Sequence, residues 1–588
     1  MQPIIKTLNR LWRHLSIRRR KQFCLLLILM MLSSIADVFS IASLFPFLAI
    51  LTSPTSVFVH PMAQTLIHAL SFSKPEQLLL PITLIFGLSV LMGNAMRLLT
   101  VWANTRVSFS AGADLSIDIY RRTLYQPYPT HIARNSSEVI SSISSKVNII
   151  SYNIIGPLLI FVNAIIMLVG IFFVLLWVNF VVTLIAFSSF GLIYLVMAKL
   201  THSRLLIGSQ QIANESTQVI KSLQEGLGGI RDVLIDGSQS TYCQIYSRAE
   251  RSLRRAQGNN EFIGASPRFL VEALGTLVIA TLAYLLTQKS HGVVMVIPVL
   301  GVLALGAQRL LPLLQQAYGA WSCIQSGRVS LLDVLELLDQ PLPEYASQPL
   351  NKILPFKKQI SLSKVSFCYS PSAQMVLQDI NLIIPRGGRI GFIGVTGSGK
   401  STLLDIVMGL LSPTEGLLQV DGQLITGSNQ QAWQLHIAHV PQTIFLADST
   451  IEENIAFGVP RDAINYERVR LAASGAQIKA TIEALPLEYK THVGERGVQL
   501  SGGQRQRIGI ARALYKQADV LIFDEATSAL DSETELSVIQ AIENIGHDIT
   551  IIMIAHRIST LKNCTQIVEL NNGRISRIGD FQSISHSL

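Results

Sequence analysis

The sequence predicts an all-α membrane domain of about six helices fused to an α/β domain that carries a P-loop. Hydrophobic residues make up 49% of the chain and charged residues only 14%, a composition typical of a protein that contacts lipid. Long apolar runs are confined to the first part of the chain, whereas the remainder alternates short apolar runs with Gly and Pro. In that second part, a Gly-rich motif stands between a strand-like and a helix-like segment.

Six apolar runs are long enough to cross a bilayer, since about 20 residues span the hydrocarbon core as a helix. They lie near residues 22–51, 78–104, 153–178, 181–200, 262–287 and 293–316. Basic residues before the first run place the N-terminus in the cytoplasm, and an even number of spans returns the chain there. The two long connections are then cytoplasmic, with turning points expected near residues 128–137 and 224–236. An external helix is expected near residues 62–70, either on the bilayer surface or packed on its own domain.

The expected domains are a transmembrane domain at 1–340, a linker at 341–357 and a cytoplasmic α/β domain at 358–588. A net charge of +9 does not indicate a nucleic-acid partner, because no basic patch interleaved with aromatic residues accompanies the cluster before the first span. The five cysteines form no CxxC pair, so neither a zinc site nor a disulfide framework is indicated. The first apolar run is too long for a signal peptide and is expected to remain as an anchor.

Residues 394–401, GVTGSGKS, match the P-loop pattern GxxxxGK[ST] in the expected context of strand, loop and helix. Backbone N–H groups of such a loop bind phosphate oxygens. Lys400 would neutralise the terminal phosphates, and Ser401 would offer its hydroxyl to Mg²⁺. The predicted phosphate-binding residues are Gly394, Thr396, Gly397, Ser398, Gly399, Lys400, Ser401 and Thr402.

The apolar segment VLIFD ends in Asp524 and is followed at once by Glu525. A buried strand can deliver Asp524 beside bound Mg²⁺ and leave Glu525 placed to polarise the attacking water in phosphoryl transfer. Such a strand on its own is a common feature of α/β domains.

Between these motifs, residues 500–504 read LSGGQ, which is identified as the signature motif of the ABC ATPase family. Other positions resemble that family in order: Tyr369 the adenine-stacking aromatic, Gln442 the Q-loop residue, Asp531 the D-loop aspartate and His556 the switch histidine. Singly, Tyr369 would be read as a strand residue, Gln442 as a surface residue and His556 as a core histidine. Their order relative to the P-loop and LSGGQ favours the functional interpretation.

The resemblance implies ATP and Mg²⁺ as cofactors. It assigns catalysis to Glu525, His556 and Gln442, and Mg²⁺ to Ser401, Gln442 and Asp524. Ser501, Gly502, Gly503, Gln504 and Asp531 join Tyr369 and the P-loop residues in nucleotide binding.

In this family, the signature motif of one domain closes over ATP held by the P-loop of another. The chain has one copy of each motif, so the resemblance implies a dimer. A homodimer would have two competent sites because Glu525 is present, although pairing with a related chain stays open. Residues 491–497, THVGERG, resemble the X-loop of exporters, which favours an exporter-type (type IV) half-transporter.

Three arginines in the predicted spans are candidates for a substrate cavity, because intramembrane charges are expensive and usually functional. They are Arg97, Arg268 and Arg309. Arg268 could instead pair with Glu272 one turn on, which would neutralise both. Arg97 and Arg309 have no such partner in their own helices. Two copies of each would suit an anionic head group, because guanidinium binds phosphate in a bidentate fork.

The membrane half also resembles the PglK-type lipid-linked oligosaccharide flippases, in short blocks at residues 45–51, 265–275 and 303–312 and around Arg97. The resemblance implies ATP-driven flipping of a polyprenyl-diphosphate oligosaccharide across a bacterial inner membrane, with arginines on the pyrophosphate. Its direction rests on the resemblance alone. The alternatives are a lipid or multidrug exporter, and an ABC ATPase that regulates a channel or partner without transporting. A peptidase-containing peptide exporter is disfavoured.

Overall fold

A computed structural model describes residues 3–52, 75–178, 180–288, 310–343, 346, 354–370, 372–525, 535, 548–555 and 558–585. The chain divides into two compact units. One comprises Met1–Gln126 and Arg134–Leu342, and the other Pro127–Ala133 and Pro343–Leu588. The first unit is helical throughout its described residues and the second contains two β-sheets, which confirms the predicted fold class.

The first unit is built mainly from long helices. Its helical segments are Ile4–His14, Ile17–Thr52, the 3₁₀ turn Pro75–Leu78, Leu79–Leu124, Ser136–Ser141, the π-helical Ser142–Lys146, Val147–Ile149, the π-helical Ile150–Ile155, Gly156–Val178, Phe180–Gly228, Ile230–Ile235, Gln239–Ala265, Pro267–Gln288, a helix over 310–326, and Arg328–Leu338.

Four described helical stretches are long and apolar enough to cross a membrane: Ile17–Ser40, Leu79–Leu124, Ser136–Phe173 and Phe187–Gly228. They coincide with the first four predicted runs. The fifth run falls largely on the helix Pro267–Gln288, whereas most of the sixth and the expected external helix lie outside the described residues.

These helices are much longer than a bilayer requires. The helices Leu79–Leu124 and Phe180–Gly228 contain 46 and 49 residues. At about 1.5 Å per residue they reach roughly 70 Å, against roughly 30 Å of hydrocarbon. Short helices, Tyr128–Ala133 and Ile230–Ile235, follow their C-terminal ends, at the two predicted turning points.

The second unit contains two sheets and a set of short helices. A six-stranded sheet has the order β10-β9-β3-β8-β7-β6, and a four-stranded antiparallel sheet the order β2-β1-β4-β5. The strands are β1 Gln359–Phe367, β2 Leu377–Pro385, β3 Arg389–Ile393, β4 Glu415–Val420, β5 Gln423–Leu424, β6 Ile437–Val440, β7 Val520–Asp524, β8 Thr550–Ile554, β9 Gln566–Asn571 and β10 Arg574–Gly579.

The helices and helical turns of this unit are Tyr128–Ala133, Lys400–Val407, Gln430–Gln434, Ile451–Ile455, Arg461–Ala463, Tyr466–Gly475, Lys479–Glu483, Glu488–Lys490, Glu495–Gly497, Gly502–Lys516, Ile558–Leu561 and Phe581–Ser585.

The six-stranded sheet is parallel from β9 to β6, and its strands are apolar runs because both of its faces are covered. Ile390, Phe392, Ile522 and Ile552 are each fully buried in it. Strands β3 and β7 flank β8 and run parallel to it, so their carboxyl ends meet at one edge of the sheet. Ligands of open α/β sheets bind at this edge.

His439 provides a test of how this sheet is packed. It lies on β6, and its Nε2 is buried without a hydrogen-bond partner among the described residues. Burial lowers the pKa of His439 from its usual 6.5. The unfolded chain therefore binds this proton more readily, and stability present above pH 6.5 is lost as the pH falls below it.

When the pH is lowered from about 7.5 to about 5.5, we expect the Tm of the full chain to fall by roughly 2 °C more in the wild type than in His439→Leu. Differential scanning fluorimetry in detergent measures both. Equal shifts in the two proteins would contradict a buried, neutral His439.

Candidate nucleotide-binding site

The P-loop connects β3 to the helix Lys400–Val407 at the carboxyl edge of the parallel sheet. Its path requires glycine. Gly394 has φ 144°, and a Cβ there would lie 2.2 Å from the carbonyl oxygen of Leu570. Gly399 has φ 98°, and a Cβ there would lie 2.7 Å from Leu377 Cδ2. A side chain at either position would therefore displace the loop from the sheet edge.

Two side chains of the loop present polar groups toward its interior. The Lys400 Nζ donates hydrogen bonds to the carbonyl oxygens of Gly394 (2.8 Å) and Val395 (3.0 Å), while the residue is 8% exposed. The Ser398 Oγ is buried and has no hydrogen-bond partner among the described residues. A buried ammonium and an unsatisfied hydroxyl inside a loop of backbone N–H groups suit a phosphate chain.

Carboxylates cluster where β7 ends beside the P-loop helix. Burial raises the pKa of Asp524, and the charge of Glu525 raises it further, against opposing effects from Lys400 and a hydrogen bond with Ser401. Burial also raises the pKa of Asp405 to about 6, with a contribution from the charge of Asp524. A bound cation would relieve this repulsion between carboxylates.

The oxygen donors at this position fit magnesium that also binds the nucleotide. Ser401 and Asp524 hydrogen-bond to each other, which brings a hydroxyl and a carboxylate oxygen together. Within the described residues, no set of three His, Cys, Asp or Glu side chains could hold a metal ion. Mg²⁺ commonly binds through one or two protein oxygens plus substrate phosphates, so this donor set suits it only together with ATP.

Glu525 is held in an unusual backbone conformation directly after β7. Its φ is 51°, in the left-handed region that non-glycine residues rarely adopt, and its N–H donates to the carbonyl oxygen of Ile554 at 3.2 Å. The Gln442 Nε2 donates to its Oε2 at 2.7 Å. Strained backbone of this kind is concentrated at functional sites, and here it orients a carboxylate at the sheet edge.

Tyr369 is positioned by two contacts in the same unit. Its hydroxyl hydrogen-bonds with Thr402 Oγ1 at 3.1 Å, and its ring meets that of Phe367 edge to face at 5.0 Å. The tyrosine is nevertheless 52% exposed. It is therefore an available stacking surface tied to the P-loop helix.

The signature residues begin the helix Gly502–Lys516. Ser501 is its N-cap and forms a reciprocal capping box with Gln504. Free N–H groups and the macrodipole make the N-terminus of a 15-residue helix attractive to an anion. In the described part of the chain, no hydrogen bond or ion pair recorded for Ser501, Gly502, Gly503 or Gln504 joins this motif to the P-loop.

Thr396, Gly397 and Ser398 lie in the loop, whereas Lys400, Ser401 and Thr402 begin the helix that follows it. Three predicted site residues lie outside the described residues. These are Asp531, His556 and Arg309. Asp405 was not predicted from the sequence; its available signal was an acidic residue in the apolar stretch LLDIV of the P-loop helix.

The two described cavity arginines are both paired. Arg268 Nε lies 3.0 Å from Glu272 Oε1, so the alternative of an i,i+4 pair is the one observed. Arg97 Nε lies 2.8 Å from Asp37 Oδ2 on the helix Ile17–Thr52. Sequence spacing reveals only partners within one helix. The Arg97 pair forms between helices, so Arg97 is not the unpaired cation that its own helix suggested.

A P-loop, a carboxylate pair at the end of β7 and a signature helix, fused to membrane-spanning helices, define an ATP-hydrolysing ABC exporter half-transporter. The chain belongs to the ABC transporter family. Residues 377–528 match the family model described as ABC transporter, and residues 23–303 that described as ABC transporter transmembrane region.

Individual relatives support this assignment. An ATP-dependent lipid A-core flippase of Chromohalobacter salexigens is 31% identical, over 79% of this chain and 79% of its own. One of Cupriavidus metallidurans is 29% identical, over 79% of this chain and 78% of its own. A solved structure of a bacterial Atm1-family ABC exporter with ATP bound matches with a TM-score of 0.78 and 25% identity, over 97% of this chain and 96% of that one.

These comparisons establish a membrane protein that binds ATP and couples its hydrolysis to transport. They do not specifically indicate the PglK-type flippases, so that resemblance stays a prediction.

Proposed function

We propose that two copies of the chain form a homodimer that uses Mg²⁺ and ATP to flip a lipid-linked, phosphate-bearing substrate across a bacterial cytoplasmic membrane. The proposed substrate is a polyprenyl-diphosphate oligosaccharide. The proposal keeps the boundaries at 1–340, 341–357 and 358–588, with the last domain in the cytoplasm. The observation that carries it is the environment of Arg97.

Arg97 lines a cavity of ≈ 240 Å³ between membrane-spanning helices. Its polar walls include Ser33, Thr100, Asn163 and Gln316. Arg97 uses its Nε for Asp37, and its remaining N–H donors have no hydrogen bond recorded among the described residues. A guanidinium whose remaining donors have no partner in the described part of the chain, in a polar intramembrane cavity, supports recognition of an anionic group such as phosphate.

In the proposed ATP site, Lys400 and the P-loop N–H groups bind the terminal phosphates, and Tyr369 stacks on adenine. Ser401, Asp524 and Gln442 would hold Mg²⁺, which would neutralise developing charge on the phosphates. Glu525 polarises the attacking water, assisted by Gln442 and His556. Asp531 and the signature residues Ser501 to Gln504 would complete the site from the second copy.

The relatives favour a close variant of this function. They are named as flippases of lipid A-core, so a phosphate-bearing glycolipid of that kind is the second candidate. Both candidates share a lipid tail, phosphate and sugar. A multidrug exporter or a non-transporting regulator accounts less well for Arg97.

The Arg97–Asp37 pair yields a prediction with opposite signs for its two members. Arg97→Ala should raise the half-stimulating concentration of polyprenyl-diphosphate oligosaccharide about tenfold or more, since a charge-assisted hydrogen bond contributes about 1.5–3 kcal/mol. Asp37→Asn should lower the half-stimulating concentration by about threefold or more, because the guanidinium loses a competing anion. The measurement is ATPase activity in nanodiscs against lipid concentration.

Arg268→Ala is the matched control, because its guanidinium is paired with Glu272 and lies outside the Arg97 cavity. A half-stimulating concentration that is the same in Arg97→Ala as in wild type would refute the substrate proposal while leaving the transporter intact. A lipid A-core glycolipid that replaces the polyprenyl lipid in this assay would select the second candidate.

A further inference from the structure

A second cavity, of ≈ 450 Å³, opens in the helical unit and takes no part in the function argued above. Its volume lies in the range of small-molecule sites. Three chain segments form most of its polar lining, from residues 148–153, 257–265 and 319–326. The polar side chains include Asn148, Asn153, Gln257, Asn260, Glu261 and Ser322.

The charge of this cavity differs from that of the Arg97 cavity. Among the described residues that line it, Glu261 is the one charged side chain and none is cationic. Amide groups offer both donors and acceptors, and a carboxylate accepts only. This combination matches hydroxyl groups, which both donate and accept, and it disfavours a phosphate.

The amide wall is held in place by specific contacts. Asn260 is only 6% exposed, and its Nδ2 donates to Ser326 Oγ at 2.8 Å. The neighbouring helix approaches so closely that a Cβ at Gly208 would lie 2.2 Å from Asn260 Oδ1. The amide therefore keeps one orientation, and a methyl group at position 208 would displace it.

The first wall is built by the π-helical stretch Ile150–Ile155 and the short α-helical segment before it. Asn148 lies between Ser142–Lys146 and Ile150–Ile155, while Tyr152 and Asn153 lie within the second. π-helical turns are rare and occur frequently at functional sites. Tyr152 is 63% exposed, and its ring meets Phe109 edge to face at 4.9 Å. It presents an aromatic face on which the C–H face of a sugar ring can pack.

The two cavities share helices and differ in depth. Asn153 precedes Asn163 by ten residues, and Gln316 precedes Ser326 by ten, so the amide-lined cavity lies about 15 Å along the helices from the Arg97 cavity. By the predicted topology, residues 148–153, 257–265 and 319–326 are at the cytoplasmic ends of spans three, five and six. A lipid-linked glycan in the inner leaflet would place its diphosphate near Arg97 and its sugars farther toward the cytoplasm.

We infer that the amide-lined cavity binds the neutral sugar rings of the transported lipid while its phosphates engage Arg97. The inference deepens the proposed function, on which it rests for the identity of the substrate. It assigns glycan recognition to Asn260 and Glu261, with Tyr152 as the packing surface.

Cys323 lines the cavity and reports on its occupancy. In full-length transporter in nanodiscs, the rate of maleimide labelling at Cys323 is measured by peptide mass spectrometry, with the exposed Cys243 as internal reference. The probes are millimolar maltotetraose and N-acetylchitotetraose, with inorganic pyrophosphate as the anionic comparison. We expect at least one neutral oligosaccharide to slow labelling of Cys323 about threefold or more relative to Cys243, and pyrophosphate to leave it unchanged.

Variants test which side chains bind the oligosaccharide that protects Cys323. Asn260→Ala and Glu261→Gln should each raise the oligosaccharide concentration for half-protection about fivefold or more, as should Gly208→Ala, which only displaces Asn260. Asn259→Ala, an adjacent amide that does not line the cavity, should behave as wild type. Glu261→Gln keeps the test valid if Asn260→Ala fails to fold, because Glu261 is exposed.

The inference is overturned if neither oligosaccharide protects Cys323, if pyrophosphate protects it equally, or if protection is unchanged in Asn260→Ala and Glu261→Gln. Failure of the proposed function is detected separately, because its assay measures the stimulation of ATP hydrolysis in wild type and in Arg97→Ala. If an oligosaccharide protects Cys323 but the polyprenyl-diphosphate lipid does not stimulate ATP hydrolysis, that lipid is excluded as the substrate and the sugar site still stands.

Discussion

Glu525→Gln is expected to lower the rate of ATP hydrolysis about 100-fold or more while ATP still binds. General-base assistance to an attacking water contributes about 10²–10⁴ in rate, and an amide cannot accept the proton. The substitution is nearly isosteric, and the hydrogen bond from Gln442 Nε2 to the Oε2 position is one contact that it changes. Turnover by phosphate release and binding of a fluorescent ATP analogue are measured on the same preparation.

Glu415→Gln is the matched control, since Glu415 is an exposed carboxylate on β4 of the same unit. It should retain wild-type turnover. A Glu525→Gln protein that keeps more than about a tenth of the wild-type rate would show that another group activates the water.

Lys400→Ala is expected to weaken ATP binding about 100-fold or more and thereby remove hydrolysis at ordinary ATP concentrations. Truncating one partner of a buried, hydrogen-bonded charge pair costs about 2–5 kcal/mol, or roughly 30-fold to several thousandfold in affinity. Lys400 is only 8% exposed and lies within the loop, so water cannot readily replace its ammonium group. Titration with a fluorescent ATP analogue gives the change directly.

Lys358→Ala removes an exposed lysine of the same unit and should leave affinity within about twofold of wild type. Far-ultraviolet circular dichroism shows whether Lys400→Ala retains its fold. If a folded Lys400→Ala protein bound ATP with near-normal affinity, the terminal phosphates would not bind at Lys400.

The sequence predicts well those features that depend on residues close together along the chain. Apolar runs of bilayer length predict the four described membrane-spanning stretches, and turn-rich segments mark where the long helices end. The P-loop follows from glycines whose positive φ no other residue adopts easily, as at Gly394 and Gly399. Lys400 and Ser401 then take their places because they begin the next helix.

The features that sequence does not predict depend on contacts between separate segments. Arg97 was expected to lack a partner because its own helix offers none, and Asp37 reaches it from another helix 60 residues away. Asp405 acquires a pKa of about 6 only because folding buries it near Asp524. The amide-lined cavity likewise needs three segments, one of them with a π-helical stretch for which no sequence periodicity is diagnostic.

Movement of a lipid-linked, phosphate-bearing glycan is expected to depend on ATP hydrolysis at Glu525. The most direct test of this dependence is translocation of a fluorescent polyprenyl-diphosphate oligosaccharide in proteoliposomes, followed by quenching of the outward-facing label. We expect ATP-dependent translocation by wild type, none by Glu525→Gln, and strongly reduced translocation by Arg97→Ala. Equal label movement in wild type and Glu525→Gln, or none in a wild-type protein that hydrolyses ATP in the same vesicles, would contradict it.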